Sequence, residues 1–256
     1  WCEKNNIAVI QDLAHAVGAQ KLQATSYKLQ EQPVILSFSQ DKVFDGVSGG
    51  ALIAASGDQI KNAKCKVQNY RTIFIQLLYP LITYAIRSTY NLGLGKVIHF
   101  MAKKMGLMNS PIYTPKETAL PNAFAALALN QLNRLDEIIE HRKKIALQYN
   151  EVISNKFGII YKNDIEYGSN LRHPIWVNNR EKLENKLRKH SFYLVDHWYD
   201  APVSPKWVDF SKVKYQIGSC PNAEGLSEHI FNLPTHVNIS IKKAKELAKL
   251  INKYAE

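Results

Sequence analysis

The chain has 256 residues, 46% of them hydrophobic, and carries a net charge of +11. This hydrophobic fraction excludes a disordered polypeptide and is enough for one large domain or two small ones with real cores. The three cysteines are scattered, odd in number and without metal-ligand spacing, which argues against a disulfide framework and predicts no metal site. We therefore expect a soluble protein of mixed α/β class in the cytoplasm.

Three short apolar runs near the start of the chain predict strands. They cover residues 7–10, 34–38 and 51–54, and the third follows Gly49-Gly50. Such runs are typical of strands buried on both faces of a parallel sheet. A basic helix is predicted over residues 58–71.

The segment between Asp58 and Asn109 is the most basic part of the chain, with eight Lys and Arg against one acid, a local charge of +7. Within it, Ile73–Ile86 is almost wholly apolar, but a bilayer span needs about 20 residues and this run is shorter. Leu92–Met108 predicts an amphipathic helix with a cationic face. Two hypotheses stay open: a helical hairpin packed on the protein or at a dimer surface, and a peripheral contact of 73–108 with the inner membrane face.

Residues 121–153 predict one long helix, because apolar residues recur at intervals of three and four. Pro121 suits its first turn, and Gly158 lies just beyond its end. At 1.5 Å per residue this helix would span roughly 50 Å, enough to connect two domains.

The remainder of the chain predicts a small α/β domain. Its strand-like runs and helices are, in order, strands at 158–161 and 173–177, a helix at 180–190, a strand at 192–195 and a helix at 241–254. We predict four parts: the later part of a large domain at 1–57, a basic apolar helical insert at 58–118, a connecting helix at 119–153 and the small domain at 154–256.

Five residues near the first two strands suit the chemistry of pyridoxal phosphate. This cofactor is an electron sink only while its ring nitrogen is protonated, and a carboxylate such as Asp12 favours that proton. Ala14 can lie flat against the ring, His15 can bond its phenolic oxygen, and Ser37 can donate to its phosphate. Lys42 would bind the cofactor covalently and carry a proton to and from the substrate. Each residue is a weak signal alone, and their joint spacing carries the prediction.

Four segments of the chain also match a known pattern. Residues 9–18 read Val-Ile-Gln-Asp-Leu-Ala-His-Ala-Val-Gly, and Ser37-Phe38 precedes Lys42 and a Gly-Gly strand. The third segment is the helical stretch 125–137. The fourth combines Cys-Pro-Asn-Ala-Glu at 220–224 with Leu-Pro-Thr-His at 233–236. Together they resemble the DegT/DnrJ/StrS sugar aminotransferases, which are fold-type-I pyridoxal phosphate enzymes.

The resemblance implies a partial fold-type-I large domain with parallel strands, followed by a small α/β domain. It implies a homodimer that transfers an amino group from glutamate or glutamine to a keto-sugar, usually nucleotide-linked, in surface-polysaccharide or glycan precursor biosynthesis. By the same resemblance Asp12 pairs with the ring nitrogen, His15 with the phenolic oxygen and Ser37 with the phosphate. Lys42 is the catalytic lysine, and it favours transamination because a family branch that removes sugar hydroxyls lacks it.

The chain departs from the family pattern in three respects. It opens on Trp1 close to the first motif, so we expect that an N-terminal part is missing. Glu117 and Ala119 stand where an Asn-x-Arg element is usual, and Ser48 stands where an acid is common. These departures leave open a non-catalytic binding or regulatory homologue on the same fold.

Two other classes of partner are not expected. Residues 46–50 lack the spacing of a dinucleotide fingerprint and its downstream acid. The lysines of the basic segment lie among aliphatic residues rather than stacking aromatics, which argues against nucleic acid.

Overall fold

A computed structural model describes residues 1–19, 32–53, 66–108, 118–158, 160–194, 198–204 and 208–255. The chain divides into two compact units, which we call unit 1 (Trp1–Ile138) and unit 2 (Ile139–Glu256). The predictions made for residues 54, 58–65, 117, 159 and 195 lie outside the described residues. The four-part division stays a prediction.

Unit 1 contains a three-stranded sheet in the order β1 (Gln11–Asp12), β2 (Val34–Ser37), β3 (Gly50–Ile53). Strands β1 and β2 are parallel, as predicted, whereas β3 runs antiparallel to β2. The first strand was predicted over residues 7–10, and this position is wrong. Ladder bonding begins only at Gln11, whose amide donates to the carbonyl of Pro33 at 2.9 Å.

A helical hairpin follows the sheet. Its helices are α1 (Tyr70–Thr89) and α2 (Leu94–Lys104), and Gly93 reverses the chain with φ 83°. A Cβ on Gly95 would lie 2.3 Å from the carbonyl oxygen of Ile86, so only glycine lets the helices approach this closely. No helix in the described ranges combines the length and hydrophobicity that crossing a membrane requires.

The two ends of the segment that holds the hairpin are tied together. The amide of Ala119 donates to the carbonyl of Lys66 at 2.9 Å, and the Gln68 side chain donates to the Thr118 hydroxyl at 2.9 Å. The chain therefore enters and leaves the segment that holds the hairpin at one place in unit 1.

Two helices occupy the region for which the sequence predicts one. Helix α3 (Asn122–Leu132) and helix α4 (Leu135–Val152) are separated by Asn133 and Arg134. The amide of Arg134 bonds to the carbonyl of Gln131, three residues back, which tightens the turn and interrupts the regular ladder. The single helix over 121–153 is therefore wrong, although both halves are helical.

Unit 2 packs helices on a two-stranded antiparallel sheet, β4 (Arg172–Trp176) and β5 (Ile230–Pro234). Its helices are most of α4, together with α5 (Lys162–Tyr167), α6 (Arg180–Arg188), α7 (Pro221–His229) and α8 (Ile241–Tyr254). Helix α8 is capped by Ser240, whose hydroxyl accepts from the Lys243 amide at 3.2 Å, and it buries an apolar stripe in the core.

Two predicted strands of unit 2 are wrong in their described residues. Around 158–161, the Ile160 amide and carbonyl bond to the Asn150 side chain rather than to a neighbouring strand. At 192–194, the Phe192 amide donates to the carbonyl of Leu187 in the turn that ends α6. In both places the backbone groups have local partners, so no ladder forms.

Candidate cofactor site

Two predicted site residues, His15 and Lys42, meet in unit 1. Lys42 Nζ and His15 Nε2 lie 2.7 Å apart although 27 residues separate them in the sequence. The parallel pairing of β1 and β2 explains the contact, because it brings the carboxyl ends of both strands, and the turns that follow, to one edge of the sheet. Which of the two nitrogens donates depends on the protonation state of the amine and on the tautomer of the imidazole.

Lys42 lies on a tight turn, residues 38–49, which we call the lysine turn. The Phe38 amide donates to the Gly49 carbonyl and the Gly46 amide to the Phe38 carbonyl, both at 2.8 Å. Val43 and Phe44, next in the chain to Lys42, are almost fully buried, and the Phe44 ring stacks on Phe38. These anchors fix the backbone while the Lys42 side chain stays half-exposed.

The end of the lysine turn depends on two glycines. Gly49 has φ 106°, in a region that side chains rarely adopt. A Cβ on Gly50 would lie 2.4 Å from the carbonyl oxygen of Leu36 across the β2–β3 ladder. The Gly-Gly pair is therefore needed for the close return of the chain beside Ser37.

Asp12 and Ala14 form the turn that carries His15. Asp12 Oδ1 accepts from the Ala14 amide at 2.9 Å, which holds the carboxylate at the end of β1. The Asp12 side chain is exposed, and Ala14 and His15 are half-buried. The carboxylate and the imidazole thus leave the same short turn, three residues apart.

Ser37 has a partner that the sequence prediction missed. Its Oγ lies 2.9 Å from Ser39 Oγ. The spacing Ser-x-Ser could have indicated a paired hydroxyl, because alternate residues at the end of a strand point to one side.

The sequence prediction also missed two acids of the lysine turn, Asp41 and Asp45, and the phenol of Tyr79 on α1. Asp45 accepts from the Val47 amide at 2.6 Å, and desolvation of its carboxyl raises its pKa. Burial, together with the negative charges of Asp41 and Asp45, raises the pKa of Tyr79 on α1. Helix α1 therefore lies within electrostatic range of the lysine turn, which no local sequence signal predicts.

Pyridoxal phosphate fits this set of groups. Its aldehyde carbon and phenolic oxygen are neighbours on the ring, which matches an amine and an imidazole 2.7 Å apart. The Ser37 and Ser39 hydroxyls can donate to a phosphate, and Asp12 supplies a carboxylate for a protonated ring nitrogen. The structure thus brings His15 and Lys42 into contact, whereas the roles of Asp12, Ala14 and Ser37 toward the cofactor stay predictions.

Comparison with known families agrees with this geometry. A profile of the DegT/DnrJ/EryC1/StrS aminotransferases matches residues 1–252. This chain belongs to that family. No curated protein sequence gives a significant match.

Solved structures share the fold at low sequence identity. DesI, determined in the presence of its TDP-sugar product, superposes with a TM-score of 0.64 at 15% identity over 98% of this chain and 56% of its own. PseC of Helicobacter pylori, an aminotransferase of pseudoaminic acid biosynthesis, gives 0.63 at 15% identity over 98% and 60%. The putative sugar aminotransferase Spr1654 of Streptococcus pneumoniae, in its PMP form, gives 0.60 at 17% identity over 99% and 60%.

The chain therefore spans less than two thirds of the length of these family members. It has the fold of the matching part, a partial α/β domain of the fold-type-I class. Spr1654 is also known in a PLP form, so a family member of this fold holds the cofactor that the site of unit 1 fits.

Proposed function

We propose that this chain is part of a pyridoxal phosphate-dependent aminotransferase that acts on a keto-sugar, usually nucleotide-linked, with glutamate or glutamine as amino donor. The 2.7 Å contact between Lys42 Nζ and His15 Nε2 carries the proposal. A lysine amine and an imidazole held together at the carboxyl edge of a parallel strand pair suit a cofactor with adjacent aldehyde and phenol groups.

The residues have distinct roles in this function. Bound pyridoxal phosphate supplies an electron sink for charge that develops on the substrate carbon. The Lys42 amine takes a proton from the donor's α-carbon and later returns one to the carbon that receives the amino group. His15 would bond the phenolic oxygen, Asp12 would hold the proton at the ring nitrogen, and the Ser37 hydroxyl would donate a hydrogen bond to the phosphate.

We further propose a cytoplasmic homodimer that serves surface-polysaccharide or glycan precursor biosynthesis. The family match and the sugar-linked names of its solved members support this assignment. A peripheral membrane contact through residues 73–108 is proposed as well.

A second candidate is a non-catalytic binding or regulatory homologue. One observation favours it: Ala119 replaces a family arginine, and the residues around it serve to close the base of the hairpin segment. Thr118, for example, accepts from Gln68 at 2.9 Å. Because the side chain of Ala119 is apolar, this segment cannot bind a substrate through the polar group that an arginine would supply at this position.

The test is covalent capture of the cofactor by the full protein. Pyridoxal phosphate is added, the protein is reduced with borohydride, and mass spectrometry locates the modified lysine, while the visible absorbance band is followed before reduction. We expect modification at Lys42, no band in Lys42→Ala or Lys42→Arg, and weaker binding in His15→Ala. Lys66→Ala, an exposed lysine outside the lysine turn, is the matched control and should behave as the parent.

Glutamate separates the two candidates. If the band forms and shifts on adding glutamate in the parent, the protein is an aminotransferase. A band that does not respond to glutamate or glutamine supports the binding homologue. Modification spread over surface lysines, with no dependence on Lys42, would contradict the proposed site itself.

A further inference from the structure

Helix α1 presents an apolar stripe to solvent. Tyr70, Phe74, Leu81 and Tyr84 are exposed, Phe74 and Leu81 by 62% and 66%. With half-buried Leu77 they recur at intervals of four and three residues and so lie on one face of the helix. The opposite side of α1 holds its buried residues, Gln76 and Ile86.

Helix α2 has a second exposed apolar stripe, while its small buried residues, Gly95 and Ala102, lie on another face. The exposed residues of this stripe are Leu94, Val97, Met101 and Met105. We call the two stripes together the hairpin face. Exposed apolar stripes on two neighbouring helices mark a candidate contact site.

Charge indicates what covers the hairpin face. Residues 66–108 contain six cations and no acid. The cations are Lys66, Arg71, Arg87, Lys96, Lys103 and Lys104. A second copy docked through its own hairpin would bring together two segments that each carry six positive charges and no acid, an unfavourable arrangement. An anionic partner with an apolar interior satisfies both the stripes and the charges.

We propose that the hairpin face docks on the surface of an anionic lipid bilayer as a monotopic contact. Apolar and aromatic side chains at helical spacing enter the boundary between headgroups and acyl chains, and lysines and arginines bind the lipid phosphates. Neither helix is both long enough and apolar enough to span the bilayer. This inference does not depend on the proposed enzymatic function.

The test is flotation of the full protein with vesicles of phosphatidylcholine, with and without phosphatidylglycerol. We expect binding to the anionic vesicles only, weakened by salt because exposed charges are screened beyond roughly 10 Å at 0.1 M. Lys103→Gln with Lys104→Gln should reduce binding about 25-fold, and Phe74→Ser with Leu81→Ser by at least about tenfold. Lys42→Ala should float as the parent does, which separates this test from that of the cofactor site.

Matched controls lie outside the hairpin. Lys245→Gln with Lys249→Gln removes two exposed charges from α8, and Ile217→Ser removes a side chain that is 80% exposed. Both controls should float as the parent does. Absence of flotation, or flotation that the hairpin variants leave unchanged, overturns the proposal. The proposal is also overturned if the protein forms an oligomer that Phe74→Ser with Leu81→Ser dissociates while flotation persists. A second copy of the chain would then cover the face.

Discussion

The polar groups inside unit 2 and those of the lysine turn meet different environments. Arg142 and His173 are nearly inaccessible, and burial lowers the pKa of Arg142 to about 10 and that of His173 to about 4. Lys42 and His15 are only half-buried and bonded to each other. Strongly shifted pKa values often mark active sites, but here they accompany packing. Lys42 and His15 suit a cofactor site better than Arg142 and His173, because a ligand can still reach them.

Arg142 and Tyr149 in the interior of unit 2 bond to the chain of unit 2 itself, whereas His173 Nδ1 is buried without a hydrogen-bond partner among the described residues. Arg142 donates to the Leu171 carbonyl at 3.1 Å and the Thr235 hydroxyl at 2.9 Å, and Tyr149 donates to the Pro234 carbonyl at 2.9 Å. These bonds join α4 to the residues beside β4 and β5. We therefore interpret this cluster as structural.

The largest expected effect checks that unit 2 is a closely packed core. Leu247→Ala deletes a fully buried side chain of α8 and should lower the free energy of unfolding by about 3 kcal/mol. Urea denaturation followed by circular dichroism measures the change. Leu226→Ala on α7, where the side chain is 49% exposed, is the control and should cost well under about 1 kcal/mol. Equal costs at both positions would contradict the packing.

The second effect concerns the buried imidazole. The pKa of His173 is about 4 when folded against 6.5 ordinarily, so the unfolded chain binds a proton through this window and the folded one does not. The contribution of His173 to the free energy of unfolding is fully present above pH 6.5. It falls as the pH drops toward 4, by about 2 kcal/mol between pH 7 and pH 5. Urea midpoints across this range measure it.

The control for that titration is a matched pair of variants. His173→Gln should flatten the fall in stability, whereas His190→Gln, at an exposed position, should leave it intact. An unchanged slope in His173→Gln would mean that another group titrates.

The third effect contrasts glycines of the two regions. Gly50→Ala places a methyl against the Leu36 carbonyl and should lower the free energy of unfolding by about 1 to 2 kcal/mol, with weaker cofactor binding. Gly225→Ala on α7 meets no atom within 4 Å and should raise it by about 0.5 to 1 kcal/mol, since alanine favours helix. Thermal unfolding of both variants shows whether each substitution raises or lowers the free energy of unfolding. A change in the same direction at both positions would refute this contrast.

The smallest effect tests the backbone of the lysine turn. Asp41 has φ 68°, so Asp41→Gly should unfold less readily than Asp41→Ala, by about 1 kcal/mol. At Lys245 on α8 the order should reverse, because helix interiors favour alanine. Denaturant titrations of the four variants decide it. If alanine is the better residue at both positions, the turn does not impose the left-handed conformation.

Local sequence patterns predicted several elements correctly. Strands β2 and β4 and helices α6 and α8 appear close to where the strand-like and helical runs of the sequence placed them. The pattern failed where side chains supply local alternatives, as Asn150 does for Ile160. It also failed at Asn133 and Arg134, where one tight turn divides a stretch that is helical on both sides.

The sequence alone determined which residue types could hold the cofactor, because Asp12, His15, Ser37 and Lys42 keep a distinctive order and spacing. Only the tertiary structure decided that His15 and Lys42 touch, since that contact needs two strands to pair in parallel across 27 residues. It also decided that Ser39 joins Ser37 and that Tyr79 approaches the acids of the lysine turn. Periodicity reports the face of one element, whereas distances between elements arise from packing that no local pattern encodes.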